Sequence, residues 1–367
     1  MPRNIRDILA KAESASGALD ETELATLLSL PDESDEEKML FDCALGIKRR
    51  IVGNKVSIRG LIEAGNICSK DCLYCGIRKS NSCVERYSLA ADDIVRLAYT
   101  AKEFRYASIV IQSGEIESDA HTAFIEEVLQ RIAPLDLGVT LSLGEQSQAV
   151  YRRWKEAGAT RYLLRIETSN RELYSRLHPA DHSWDRRVEC LKSLGALGWQ
   201  LGTGVMCALP GQTALDLARD IVFYRDIGAD MIGMGPYIPH EATPLAADAL
   251  ASGYDKHHAL HLGLKMIAAT RLMLHDVNIA AATALQALAD DGREQGILAG
   301  ANVIMPNITD VRYRSAYKLY DNKPCTGESA ALCRSCLDRR IAKIGEVILY
   351  CERGDSIHYA KKSRSNQ

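Results

Sequence analysis

The strongest chemical signal in these 367 residues is three cysteines on one short stretch, Cys68-x3-Cys72-x2-Cys75. Thiolates so spaced can hold the irons of a cuboidal iron–sulfur cluster. A structural cluster wants four cysteines. Three leave one iron without a protein ligand, the kind of open coordination position that catalytic metals keep. The amino and carboxylate groups of a small molecule could chelate that iron. The competing reading is a structural zinc knuckle completed by a distant fourth ligand.

A second group, Cys325-x7-Cys333-x2-Cys336, lies near the C-terminus, and Cys351 beyond it could complete four thiolates. Four would suit mononuclear iron or zinc, or a closed cluster. The alternative is reduced thiols without metal. The other cysteines, Cys43, Cys83, Cys190 and Cys207, read as ordinary thiols.

Composition sets the setting. The chain is 47% hydrophobic and 25% charged with a formal net charge of −3, which argues for a globular protein and against an electrostatic nucleic-acid binder. The first thirty residues carry charges throughout and lack the apolar core of a signal peptide, and no apolar stretch is of membrane-spanning length. A cytoplasmic protein is expected, its cysteines thiols or metal ligands rather than disulfides.

Something must position the cysteines. Eight β-rich runs alternate with amphipathic segments: 56–66, 107–113, 138–143, 161–167, 200–207, 230–235, 278–284 and 301–305. Helical period marks 90–104, 120–132, 186–197, 214–226 and 257–275. Parallel crossovers need helices, and eight units close a complete (β/α)8 TIM-type barrel; a doubly wound open sheet is the alternative. The expected organisation is an α/β fold with a helical extension over 1–50, a barrel over 51–310, and a cysteine-rich segment over 311–367 whose tail from Lys361 to Gln367 is disordered. A closed barrel exposes no edge, which favours a monomer. Barrel chemistry sits at the C-terminal ends of strands. Those ends hold 66–75, 112–115, 140–142, 165–167, Met206, Met234, Thr283 and 305–307. The sequence Leu209–Thr213 supplies a turn, and Thr213 with Asp216 opens the next helix as a capping box.

The Cys68–Cys75 motif, with Tyr74 before its last cysteine, resembles the signature of the radical S-adenosylmethionine (radical SAM) superfamily. That resemblance implies a [4Fe–4S] cluster that passes one electron to S-adenosylmethionine, releasing methionine and a 5′-deoxyadenosyl radical. It implies further that Tyr74 sits against the adenine and that Ser113-Gly114-Glu115 holds the methionine amino group. Glu167 would accept from the ribose hydroxyls and Arg187 would pair with the carboxylate. Ser142 is a further candidate for this cosubstrate.

More motifs resemble the [FeFe]-hydrogenase maturase HydE family, a neighbour of biotin synthase and methylornithine synthase. They are Glu63-x2-Asn66, Gly76-Ile-Arg78, Leu177-His-Pro179, Gly235–His240, Thr243–Leu245 and Gly300–Asn307. The resemblance implies a radical that attacks an iron–carbonyl–cyanide–cysteinate complex during assembly of the hydrogenase active-site cluster. Gln112, Thr140, Arg165, Thr283, Tyr317 and Tyr320 are the implied substrate contacts, although Ala282 stands where a second threonine is expected. It also implies a reductase or ferredoxin as electron donor, the other hydrogenase maturases as partners, and a second iron–sulfur cluster at Cys325, Cys333 and Cys336. Two rival functions stay open: a radical SAM enzyme on an amino-acid-like or thiol substrate, and a non-enzymatic iron–sulfur scaffold or electron carrier.

Overall fold

A computed structural model describes residues 4–365. Twelve strands occur among them: β1 (Lys55–Ile58), β2 (Gly60–Gly65), β3 (Ser108–Ser113), β4 (Gly138–Ser142), β5 (Arg161–Leu163), β6 (Gln200–Thr203), β7 (Met206–Cys207), β8 (Met231–Ile232), β9 (Gly235–Pro236), β10 (Asn278–Ile279), β11 (Val303–Ile304) and β12 (Val347–Leu349). All eight runs anticipated from the sequence contain at least one of them.

Seven form one parallel sheet in the order β10-β8-β6-β5-β4-β3-β2, curled like a half-barrel. A second parallel sheet runs β11-β1-β12, and β7 pairs with β9. Single parallel bridges, Leu61 to Asn307 and Ala280 to Val303, connect β2 and β10 to the chain around β11. The crossovers are helical because the intervening segments put apolar residues on one face. Ala91–Glu103, for example, buries Ile94, Leu97, Ala98 and Ala101. The helix Ala214–Asp226 opens on the anticipated capping box of Thr213 and Asp216.

Residues 5–51 form three helices, Ile5–Ser14, Glu21–Leu28 and Asp35–Ile51. They pack on the helix Lys256–Met273, which is buried along most of its length. At the N-terminal end of the strands, Arg161 and Gln200 meet Asp355 at 2.5 and 3.0 Å, and Asn278 donates to the Gly354 carbonyl, so the returning C-terminal chain plugs that end.

The tail departs from expectation. Residues 361–365 complete the helix Ile357–Ser365 instead of being disordered. Lys361 pairs with Asp276 at 2.8 Å and Lys362 with the buried Asp230 at 2.7 Å, partners that a polar composition does not reveal. Residues 366–367 lie outside the described residues.

Candidate functional site

The cysteine loop begins where β2 ends and is built on buried polar anchors. Asn66 donates to the carbonyls of Glu85 and Ala316 and accepts from the Tyr87 N–H, all within 2.8 Å. Arg86 gathers the carbonyls of Asn66, Ile77 and Arg78 from beneath. Asp71, between the first two cysteines, accepts from both Arg78 and Ser80. Gly114 has to be glycine: a Cβ there would run into the Ile67 carbonyl and Cys68. This close approach lets the Glu115 N–H donate to Cys68 Sγ at 3.3 Å.

Burial raises all three thiols, Cys72 to about 12 and Cys75 further. Ionising them together therefore requires metal. Among the described residues, the sets of ligand atoms lying within 4.8 Å of one another do not include these three sulfurs. Thiolates ~2.3 Å from a single zinc must come closer than that. At least one pair of these sulfurs is therefore farther apart than a single zinc allows, a spacing that several irons accommodate.

Beside the loop lies a buried charge network. Glu145, 1% exposed, holds Arg187 Nε at 2.5 Å and Lys70 Nζ at 3.0 Å. Burial would raise the Glu145 pKa, but Arg187 and Lys70 outweigh it and hold the carboxyl below its ordinary value. Glu115 differs. Burial and the neighbouring Glu145 raise it against the pull of Arg187 and Lys70. Its Oε2 accepts from the Glu145 N–H, while Oε1 lies 3.3 Å from Lys70 without forming a hydrogen bond. Arg187 also donates to the Arg165 carbonyl.

Glu167 has φ +68°, a left-handed backbone that costs a non-glycine residue ~1–2 kcal/mol. Hydrogen bonds to Gly204 and Met206 hold it, and the buried Asp220 accepts from both the N–H and the hydroxyl of Ser169 at 2.6 Å. The Glu167 carboxylate faces Arg165 at 3.1 Å, yet its Oε2, like Arg165 Nη2, makes no hydrogen bond. The strained turn thus presents an under-used carboxylate to the interior, and a ligand can complete it.

The remaining expected contacts spread around the interior. Thr140 is buried with its hydroxyl unpartnered, and Gln112 donates to the Tyr317 hydroxyl at 3.1 Å. Ser142 stands opposite Gln112 on β4, and Ser113 donates to the Gly114 carbonyl. Thr283 starts the helix Thr283–Leu288, and burial raises the phenols of Tyr317 and Tyr320. The Tyr74 hydroxyl lies 3.2 Å from His178 Nε2. Sequence reasoning missed Lys70, Glu145, Asp220 and the buried Lys323–Glu63 pair. Only the position of Lys70 between two cysteines could have drawn notice.

In the second group the structure gathers Cys325, Cys333 and an unanticipated Glu328, their ligand atoms within 4.8 Å of one another. A hydrogen bond from Cys333 and the nearby Arg293 lower Cys325 to about 6. Cys336 faces Arg340, and the exposed Cys351 sits against Arg105; neither joins that set.

A "Radical SAM superfamily" model matches residues 62–223, the segment that carries the cysteine loop, Glu115, Glu167 and Arg187. A curated relative, the "[FeFe] hydrogenase maturase subunit HydE" of Thermotoga maritima, is 42% identical over 340 residues, 93% of this chain and 94% of its own. The chain belongs to the HydE family of radical SAM enzymes. In backbone, this HydE-family chain matches methylornithine synthase PylB with TM-score 0.78 at 22% identity, covering 97% of this chain and 99% of that one. It matches the maturase HydG of Carboxydothermus hydrogenoformans with the same TM-score at 20% identity, covering 98% and 81%. These two likenesses concern the fold alone. Membership of the superfamily makes the chain an S-adenosylmethionine-dependent enzyme with a [4Fe–4S] cluster. Among the described residues no helix is long and apolar enough to cross a membrane.

Proposed function

We propose that this enzyme is a hydrogenase maturase whose barrel interior takes an iron–carbonyl–cyanide–cysteinate precursor of the [FeFe]-hydrogenase cluster. The observation that carries the proposal is the reach of the HydE match, 93% of the chain, well past residues 62–223 to the residues around β10 and β11.

In this reading Cys68, Cys72 and Cys75 hold the [4Fe–4S] cluster. Bound together, cluster and S-adenosylmethionine supply a 5′-deoxyadenosyl radical by one-electron reductive cleavage. Glu115 offers its unbonded oxygen to the methionine ammonium, and Arg187, with Nε and Nη1 already engaged, keeps Nη2 for the carboxylate. Glu167 takes the ribose hydroxyls, Tyr74 packs against the adenine, and Ser113, Gly114 and Ser142 shape the same wall. Arg165 with Thr140, Gln112, Thr283, Tyr317 and Tyr320 grips an anionic substrate. The bridges from Leu61 to Asn307 and Ala280 to Val303 support closure of the strands into a complete (β/α)8 barrel that excludes water from them. Cys325 and Cys333, with Glu328 beside them, hold a second metal group, a mononuclear iron or zinc or, with Cys336 drawn in, a cluster. A reductase or ferredoxin supplies the electron, other maturases deliver and receive the intermediates, and the enzyme acts as a cytoplasmic monomer.

Two assays test this. Anaerobically reconstituted enzyme with dithionite and S-adenosylmethionine should form 5′-deoxyadenosine; an intact cluster that forms none removes the radical role. The chain should also replace HydE in a reconstituted hydrogenase maturation. Cleavage without maturation would leave a radical enzyme with another substrate.

A further inference from the structure

Away from the cysteines, two elements remote in sequence bring histidines and carboxylates together. The helix Lys256–Met273 places His257 and His261 one turn apart, their ring centres separated by 4.4 Å. The turn before the helix Asp35–Ile51 sets Glu33 Oε1 3.3 Å from His257 Nε2. One ligand atom each from Glu33, His257 and His261 falls within 4.8 Å of the others. A small adjustment brings them to the ~3.4 Å that separates ligands on one tetrahedral ion.

The surroundings are built to hold this arrangement. Buried Glu37 faces His261 Nδ1 with both oxygens at 3.0 Å, which leaves Nε2 for a ligand bond. A carboxylate behind a ligating histidine is a recurrent feature of metal sites. Glu37 also accepts the Glu33 N–H at 2.7 Å, and Glu33 has φ 60°. Buried Lys265 donates to Leu30 O and Asp32 Oδ1, each at 2.7 Å, and pins the turn from its other side. An exposed Glu–His ion pair gains little in water and does not account for a left-handed backbone with a buried carboxylate behind it.

We propose that Glu33, His257 and His261 bind a divalent first-row metal ion of the zinc class, with Glu37 orienting His261. Two imidazoles and one carboxylate suit Zn²⁺ or Co²⁺ better than Mg²⁺ or Ca²⁺, and water can fill the remaining position on the solvent side. The ion ties the N-terminal extension to the helix Lys256–Met273. That helix in turn backs β9: a side chain at Gly263 would meet Pro236 and Leu285 at 3.1 Å.

The test dialyses cluster-loaded enzyme anaerobically against micromolar Zn²⁺, then measures zinc and iron per chain and the unfolding midpoint. Wild type should retain one zinc more than His257→Ala/His261→Ala, and zinc should raise the midpoint of wild type only. Loss of two ligands should weaken Zn²⁺ binding about 100-fold or more. Unchanged iron content in the variant shows that it is folded and that the extra zinc does not sit at the cysteines. Glu33→Gln, at an exposed residue, gives an independent reading and should weaken binding about tenfold. Equal zinc in wild type and double variant, no zinc in wild type, or undiminished affinity in Glu33→Gln overturns the proposal.

Discussion

Glu145→Gln removes one charge from the wall of the site and keeps the shape of the side chain. The carboxylate it replaces is held by Arg187 at 2.5 Å, Lys70 at 3.0 Å and Arg186 at 3.3 Å. An amide can accept from one of these cations but turns its own N–H groups toward another, so a buried cation loses its partner. Breaking a buried pair in this way costs ~3–5 kcal/mol. With an unfolding entropy of ~2.1 cal/mol/K per residue, a chain of this length should lose ~4–6 °C of midpoint at neutral pH. The Glu145 carboxyl is held below its ordinary value, so its contribution is present above that value and lost as pH falls through the folded one. The gap between variant and wild type should therefore narrow below about pH 4.

Arg187 and Lys70 would also lose their fixed positions. The KM for S-adenosylmethionine should rise about tenfold, the loss of ~1.4 kcal/mol of binding, with kcat changing less. Calorimetry across pH, together with 5′-deoxyadenosine formation against S-adenosylmethionine concentration, reads both effects. A midpoint within about 1 °C of wild type at neutral pH, with an unchanged KM and full iron content, would refute the reasoning.

Other substitutions probe the remaining parts. Cys72→Ser should cost about four irons per chain and abolish 5′-deoxyadenosine formation, as read by iron analysis and chromatography; retained cleavage would disprove its role as a ligand. Gly114→Ala pushes a methyl into Ile67 and Cys68, and should lower stability by ~1–3 kcal/mol and reduce cluster yield, measured by denaturant unfolding and cluster absorbance. Burial pushes Asp220 up to about 7, so its contribution to stability is present below the ordinary carboxyl value and lost as pH rises through about 7. Asp220→Asn should flatten the fall in stability between pH 4 and 8 by roughly 4 kcal/mol, checked by denaturant unfolding at several pH values.

Much of the scaffold was legible because it follows from local patterns. The eight runs contain the strands of the curled parallel sheet and, except for β12, of its neighbours, since β-branched apolar stretches between amphipathic segments read the same way wherever the chain later pairs them. The cysteine loop was legible because three cysteines fall within eight residues. Around it, Glu115 and Glu167 follow strand ends and each present an oxygen that forms no hydrogen bond, whereas Arg187 comes from the helix Trp184–Ala196 and reaches Glu145 and the Arg165 carbonyl. β12 was not foreseen. It is three residues long and gains its place only by lying against β1.

What escaped the sequence is charge compensation between distant segments. Glu145 follows a strand end in an unremarkable Gly-Glu-Gln, and its meaning depends on a lysine 75 residues before it and an arginine 42 after. Lys48 and Glu346 are fully buried 2.5 Å apart yet separated by 298 residues. Read in sequence, each is a charge on the polar side of its own segment. The same gap explains both terminal errors. Lys362 looked like part of a solvated tail, but the carboxylate of buried Asp230 needs a cation and takes this one. Cys351 looked like the fourth member of a thiolate set by order along the chain, but the return of the chain through β12 carries it to Arg105 and leaves Glu328 beside Cys325 and Cys333. A buried charge must have its partner whatever the distance along the chain, so such pairs become readable only once the strand order is known.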